Sequence, residues 1–527
     1  MNKLDRAHKT ESLVETIRWN AARFPAKDAI VCDTRALTYA ELDAESDRTA
    51  SALRSVGVNR GVRVAYLGKE SENYYDVLFG CAKSGAVLVP INWRLSPPEI
   101  KHILSDATAQ LIFVEEEFLA AVQEIAWCLP DLRFTVVLDG PDGPGKGLES
   151  WKAQHHGALD SVAADRDDPI VQIYTSGTTG LPKGVVLAHR SFFAVRDMLE
   201  RADLDWIDWR SDDTSLIGVP GFHVGGLWWA VQGLNAGVTN IAMRAFVSGE
   251  ALRLIREMGV TTTCMVPAML HMLTSEQSAS PQAFRTLRKA VYGGSPISQA
   301  LLERCRAAMK CDFAQIYGLT ETGNTAVCLP PDAHTRGGNL LKAAGRPYPG
   351  VDVVVLDQKG EELENGAVGE ICIKTPARMK EYWRLPAATA ETVQDGWVHT
   401  GDAGYLDAEG FLYICDRIKD VVIVAGENVY PAEIEKALEQ LPDVAEAAVV
   451  GVPDERWGEG LHAVVVLANG ATATRRQLAL GLRDHLAAFK IPTSWEFTDY
   501  LPRNPSGKIL RRRLREPFWS TRERNVG

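Results

Sequence analysis

Apolar and polar positions along the chain recur with two periods, one near 3.6 residues and one near 2, which predicts helices and strands in succession. Thr38 and Glu41 have the spacing of a capping box, and the helical pattern that follows runs to Gly57, a stop signal. Residues 62–67 read as a strand, 73–83 as a helix closed by Gly85, and 86–90 as a buried strand. Such strand–helix–strand units favour parallel sheets covered on both faces. The run 139–146, rich in Gly, Pro and Asp, breaks the alternation. From 351 to 411 short strands at 353–356 and 370–374 are separated by Gly, Asn and Asp, the pattern of a small β subdomain. Beyond a charged stretch at 416–420 lie a strand at 421–424 and a helix with Pro431 in its first turn. The expected fold is α/β: a large multi-subdomain N-terminal domain over 1–416, with covered β-sheets, and a small α/β C-terminal domain over 417–527.

Composition sets bounds on function. At 527 residues, 46% hydrophobic and 24% charged, the chain can bury several cores and is too apolar for a disordered tail. Its 57 basic and 68 acidic residues give a net charge of −11, which argues against a large nucleic-acid footprint. The first ten residues are charged and polar, so no secretory signal is expected, and the apolar stretches are too short to span a bilayer. Nine cysteines are scattered without C-x-x-C or metal-ligand spacing, the pattern of reduced, buried thiols. A cytoplasmic location is the simplest expectation.

The densest candidate chemistry lies at 174–184. After the apolar run 169–173, Thr175, Ser176, Thr178 and Thr179 supply hydroxyls, Gly177 and Gly180 supply close-approaching backbone, and Lys183 supplies a cation. Together they can surround a polyphosphate. The spacing is not that of a Walker A loop, which needs G-x-x-x-x-G-K-[ST]. Taken alone, such a stretch reads equally as a surface turn.

As T-S-G-T-T-G-x-P-K-G, residues 175–184 resemble the signature loop of the adenylate-forming enzymes: acyl-CoA synthetases, adenylation domains of peptide synthetases and firefly-type luciferases. Further stretches match that family in the same order. They are P-G-F-H at 220–223, Y-G-G-S-P at 292–296, Y-G-L-T-E at 317–321, T-G-D at 400–402, R-I-K-D at 417–420, G-E-N at 426–428 and P-S-G-K at 505–508.

The resemblance implies an acid–thiol ligase using ATP, Mg²⁺ and CoA. A carboxylate is a poor acyl donor, and attack on the α-phosphorus of ATP converts it to an acyl-adenylate with AMP as leaving group. By resemblance, Thr175–Lys183 hold the β- and γ-phosphates, Glu321 is the Mg²⁺ ligand, and Thr320 lies beside the α-phosphate. Tyr317 stacks on adenine in a slot lined by Gly293, Gly294 and Ser295. Asp402 takes the ribose hydroxyls with Arg417 as a second contact. Lys508 bridges carboxylate and α-phosphate during adenylation. For thioester formation the C-terminal domain rotates about a hinge at Lys419, Gly426 lines the pantetheine tunnel, and Glu427 orients His223. The arginines 511–513 read as a solvated helix face.

Amino-acid-activating relatives carry an aspartate near the P-G-F-H stretch, and residues 223–229 offer no carboxylate. The implied pocket, Gly225, Trp228, Met265, Gly293, Gly318 and Gly323 with His223, holds no fixed charge, so a hydrophobic acid is expected, fatty first and aryl or polycyclic next. The match at 426–434 points to CoA as acceptor. The alternatives are an acyl-AMP ligase loading a carrier protein and a non-catalytic nucleotide-binding regulator. The expected partners are the acid, ATP and CoA, with a homodimer left open and neither nucleic acid nor an integral membrane segment involved.

Overall fold

The computed structural model describes residues 10–139, 146–156, 164–175, 181–204, 206–295, 297–424, 427–454, 458–483, 485–503 and 509–519. The chain divides into two compact units, Met1–Asp352 with Ile373–Val398, and Val353–Cys372 with His399–Gly527. The mixed α/β architecture is the one the periodicity predicts.

Local sequence signals act where they stand. Thr38 and Glu41 form the capping box that opens the helix Tyr39–Ser55, each side chain satisfying the other's backbone N–H. Gly57 beyond it takes φ 83°, and Gly85 closes the helix Glu72–Ser84 at φ 79°. The strands Arg63–Leu67, Val87–Ile91 and Leu111–Val114 are buried at every position, as strands of a parallel sheet covered on both faces must be. Of the break expected at 139–146, residues 140–145 lie outside the described residues.

These strands belong to a seven-stranded sheet in the order 381–382, 183–188, 169–175, 87–91, 63–67, 111–114, 134–137. Its last five strands run parallel. A nine-stranded sheet in the same unit has six mutually parallel strands, from Asp312–Tyr317 through Lys289–Gly293, Thr262–Met265, Thr214–Ile217 and Thr239–Ala242 to Asp28–Cys32. Leu216, Met265, Leu270, Phe284, Tyr292 and Phe313 pack into one core there.

Loops at the C-terminal ends of parallel strands are where α/β proteins bind ligands. Here those loops tie the two sheets together. Glu115, after Leu111–Val114, accepts from both Arg244 terminal nitrogens at 2.6 and 2.9 Å. Glu70, after Arg63–Leu67, accepts from the Gly221 N–H at 2.8 Å, while the Tyr74 hydroxyl donates to Gly221 O at 2.9 Å.

In the second unit the strands 427–429, 422–424, 458–467 and 444–454 form a sheet, with 494–497 added beside 458–467. Val422, Ile434, Leu438, Val449 and Val465 fill its core, and Pro431 opens the helix Pro431–Glu439 as predicted. One expectation is corrected. Arg511 is not part of a solvated face, because its guanidinium reaches the buried carboxylate of Glu435, with Nη2 at 2.5 Å. Arg512 and Arg513 are exposed, as expected.

Candidate active site

The stretch expected to hold phosphates begins at the C-terminal end of the strand Pro169–Thr175. That strand pairs antiparallel with Lys183–Ala188, so Thr175 and Lys183 face each other across the base of the loop. Ser176, Gly177, Thr178, Thr179 and Gly180 lie outside the described residues. The loop's base is braced from the helix Pro97–Ala107. His102 Nε2 donates to Pro182 O at 3.0 Å, and the Tyr174 hydroxyl donates to Asp106 Oδ2 at 2.6 Å.

Glu321 and Thr320 sit in the short 3-10 turn Thr320–Thr322 that follows the strand ending at Tyr317. One residue brings this turn and Lys183 together. Tyr382 lies on the edge strand Glu381–Tyr382, which pairs antiparallel with Lys183–Ala188. Its hydroxyl donates to Glu321 Oε1 at 2.7 Å, and Lys183 Nζ stands 5.1 Å from its ring centroid. The Met379 N–H also donates to Glu321 O at 2.8 Å. Burial, and then the neighbouring Glu321, push the Tyr382 phenol upward, so it stays a donor. Sequence reasoning missed Tyr382, since it belongs to none of the matched motifs.

The slot proposed for adenine is assembled by strand pairing. Gly293 is the register partner of Ile316, one residue before Tyr317, and a Cβ at Gly293 would stand 2.4 Å from Ile316 O. Glycine is required by that close approach. Gly294 takes φ 81°. Tyr292 is a core residue, with its hydroxyl 2.9 Å from His334 Nε2.

The residues expected on the acyl side lie near neighbouring strand ends. His223 follows the strand Thr214–Ile217 and precedes the helix Val224–Asn235. Its Nε2 is buried with no partner among the described residues. Burial, and then Arg94, push its pKa down to about 4, so the ring is neutral at ordinary pH. Met265 and Trp228 are buried, and Gly225, Gly318 and Gly323 all adjoin Asn324, a residue that no motif singled out. Glu70 was missed as well. It holds the P-G-F-H stretch through Gly221 and accepts from the Tyr75 hydroxyl at 2.5 Å, with no cation paired to it among the described residues.

In the second unit, Asp402 and Arg417 are register partners on the antiparallel strands Trp397–Leu406 and Leu412–Arg417. Arg417 Nε lies 2.7 Å from Asp402 Oδ1, and its Nη1 donates to Thr400 O at 3.2 Å. The two residues expected at ribose are thus a preformed ion pair. Lys419 is exposed in the turn Ile418–Asp420, and Glu427 is exposed on the strand Glu427–Val429. Gly426 and Lys508 lie outside the described residues.

The geometry therefore joins a lysine, a bridging tyrosine and an acid across the two sheets of the first unit. The sequence pattern of AMP-binding enzymes matches residues 17–383, and that of the AMP-binding enzyme C-terminal domain matches 433–508. The chain belongs to the AMP-binding enzyme family. A fatty acid–[acyl-carrier-protein] ligase, ScoC of Streptomyces coeruleorubidus, is 57% identical over 99% of this chain and 100% of its own. The long-chain-fatty-acid–CoA ligase FadD13 of Mycobacterium tuberculosis is 37% identical over 92% of this chain and 94% of its own. Among solved structures, ATP-bound MatB from Rhodopseudomonas palustris superposes with a TM-score of 0.86 at 31% identity, covering 96% of this chain and 99% of that one. As a member of the AMP-binding enzyme family the protein is an adenylate-forming acid ligase. No described helix is long and apolar enough to cross a membrane.

Proposed function

We propose that the protein activates a fatty acid with ATP and Mg²⁺ and passes the acyl group to the phosphopantetheine thiol of an acyl carrier protein. The first step is carried by the Lys183–Tyr382–Glu321 arrangement, a cation and an acid held in fixed relation at the base of the phosphate loop. An acid carboxylate oxygen attacks the α-phosphorus of ATP, and the bond to the pyrophosphate oxygen breaks. Glu321 is the residue that would hold Mg²⁺, with the Thr320 hydroxyl beside the α-phosphate. A carboxylate suits a hard cation, and the Tyr382 hydrogen bond takes up only part of its lone-pair capacity. When bound, Mg²⁺ neutralises charge on the departing pyrophosphate. Lys183 holds the phosphates, Tyr317 and Gly293–Ser295 take adenine, Asp402 and Arg417 take ribose, and Lys508 steadies the reacting oxygens. In the second step the thiol sulfur attacks the acyl carbon and AMP leaves. Residues 417–527 act as the moving cap, hinged at Lys419, with Gly426 beside the incoming thiol and Glu427 orienting His223.

For the acceptor, the 57% identity to a carrier-protein ligase over the full length supports the carrier reading over CoA. CoA, the acceptor expected from the 426–434 match, is the second reading and is supported by similarity to FadD13. The test is ATP–pyrophosphate exchange with a panel of fatty and aryl acids, followed by acyl transfer to CoA and to a phosphopantetheinylated carrier protein in parallel. Faster transfer to the carrier is expected. Faster transfer to CoA overturns the carrier reading, and acid-independent exchange overturns the adenylation. Lys508→Ala is expected to abolish exchange while sparing thioester formation from preformed acyl-adenylate.

A further inference from the structure

Spacing along the chain offers the cysteines no metal partner, yet strand pairing supplies one. Glu370 and Cys372 stand two apart on the strand Gly369–Lys374, so their side chains share one face. The strand Trp397–Leu406 lies beside it in the same sheet, and the Thr400 hydroxyl fastens the two by donating to Ile371 O at 2.7 Å. His399, next to Thr400, thereby reaches both residues. Its Nδ1 lies 3.0 Å from Glu370 Oε2 and 3.4 Å from Cys372 Sγ, and one ligand atom from each residue lies within 4.8 Å of the other two. All three residues belong to the second unit.

Hydrogen bonds alone serve this grouping poorly. A neutral imidazole nitrogen either carries a proton or accepts one. If Nδ1 donates to Glu370, it cannot also accept from the thiol of Cys372, which is fully buried. A zinc-class ion satisfies all three at once. Ligand atoms at about 2.0–2.3 Å from a tetrahedral centre stand about 3.3–3.7 Å apart, and the separations of 3.0 and 3.4 Å are close to that. Thiolate, imidazole and carboxylate together suit Zn²⁺, whereas Mg²⁺ prefers oxygen ligands alone. A second grouping, Glu45, Asp76 and Glu149, shows what an occupied cluster looks like, since Lys152 Nζ stands 2.5 to 3.0 Å from each carboxylate. Among the described residues, Glu370 and His399 pair with each other and with no Lys or Arg.

We propose that Glu370, Cys372 and His399 bind one Zn²⁺, with the fourth position left to water. On binding, the His399 proton sits on Nε2 and the Cys372 thiol proton goes to solvent. The ion clamps the two strands directly before Thr400–Asp402, the stretch expected at ribose. It is separate from the Mg²⁺ of adenylation, whose expected ligand Glu321 lies in the first unit and has no sulfur beside it.

The test is titration of metal-free, reduced, full-length protein with Co²⁺, a spectroscopic stand-in for Zn²⁺. One equivalent is expected to raise a thiolate-to-cobalt charge-transfer band with the strong visible bands of four-coordination. One equivalent of Zn²⁺ is expected to abolish these bands, and excess Mg²⁺ to leave them. Cys372→Ala is expected to lose the charge-transfer band, while Cys128→Ala, which removes a half-buried thiol of the first unit, keeps it. His399→Gln is expected to weaken Zn²⁺ binding by about a hundredfold or more, since even partners behind the ligands are worth about 10–100-fold. A wild type without the thiolate band overturns the proposal, as does a Cys372→Ala variant that keeps it. Unchanged Zn²⁺ affinity in His399→Gln overturns it as well.

Discussion

In the first unit, the residues proposed for the nucleotide end and those proposed for the acyl end both follow or flank strand ends, yet they are finished differently. At the nucleotide end the key side chains are already engaged: Glu321 with Tyr382, Tyr382 with Lys183, Tyr174 with Asp106. At the acyl end His223 Nε2 and Asn324 Nδ2 are buried and without partners among the described residues. ATP is the same for every member of the family, so its site profits from preorganisation, where donors and charges cost no rearrangement at the moment of reaction. The acid differs between members, so no single arrangement can be preset for it across the family.

The comparison breaks most visibly if the nucleotide end is not in fact shared by all acids. Glu321→Gln keeps shape and removes charge, and is expected to lower exchange by about 10²–10³-fold with every acid tested. A loss confined to some acids shows Glu321 acting on the acyl side. Tyr382→Phe is next. It keeps the ring beside Lys183 and removes only the hydrogen bond to the Glu321 carboxylate, worth about 1.5–3 kcal/mol. A drop of about tenfold or more in kcat is expected, with the Mg²⁺ concentration for half-maximal rate raised and the acid KM unchanged. If acid KM moves instead, Tyr382 is a pocket residue and the two ends are not separate.

Much of this was legible in the sequence because it depends on neighbours along the chain. The capping box at Thr38, the stops at Gly57 and Gly85 and the buried strands follow from spacing within a turn or two. Motif glycines such as Gly293 were legible because close backbone approach permits nothing larger. The braces were not. Tyr382 lies 61 residues from Glu321, and Glu70 lies 151 from Gly221, so no local pattern links them. Arg511 misled for the same reason. A run of arginines looks solvent-facing until Glu435, 76 residues away, is brought beneath its first member. Asn324 was passed over because an Asn after Gly reads as an ordinary turn, and only burial reveals the unpaired amide.

The smallest expected effect sharpens the acyl end. Glu70 is 5% exposed, and burial pushes its carboxyl up to about 7, against hydrogen bonds from Tyr75 and Gly221 that favour the anion. Gln at this position offers one acceptor oxygen where the carboxylate offers two, so either Gly221 N–H or Tyr75 O–H loses its partner. Glu70→Gln is therefore expected to raise the acid KM several-fold through the P-G-F-H stretch, with the ATP KM unchanged. Stability supplies the second readout. Between the ordinary value of 4.5 and about 7, the unfolded chain has released a proton that the folded chain keeps at Glu70. Its contribution to stability therefore falls as pH rises through that window and is constant above it. The wild type's stability relative to Glu70→Gln, from urea unfolding at a series of pH values, should decline across the window by up to about 3 kcal/mol, since Gln does not titrate. A difference that stays flat from acid to neutral pH shows that Glu70 ionises as freely in the folded chain as in the unfolded one. In that case the proposed acyl end is braced by an ordinary carboxylate, and its contrast with the engaged Glu321, Tyr382 and Lys183 rests on His223 and Asn324 alone.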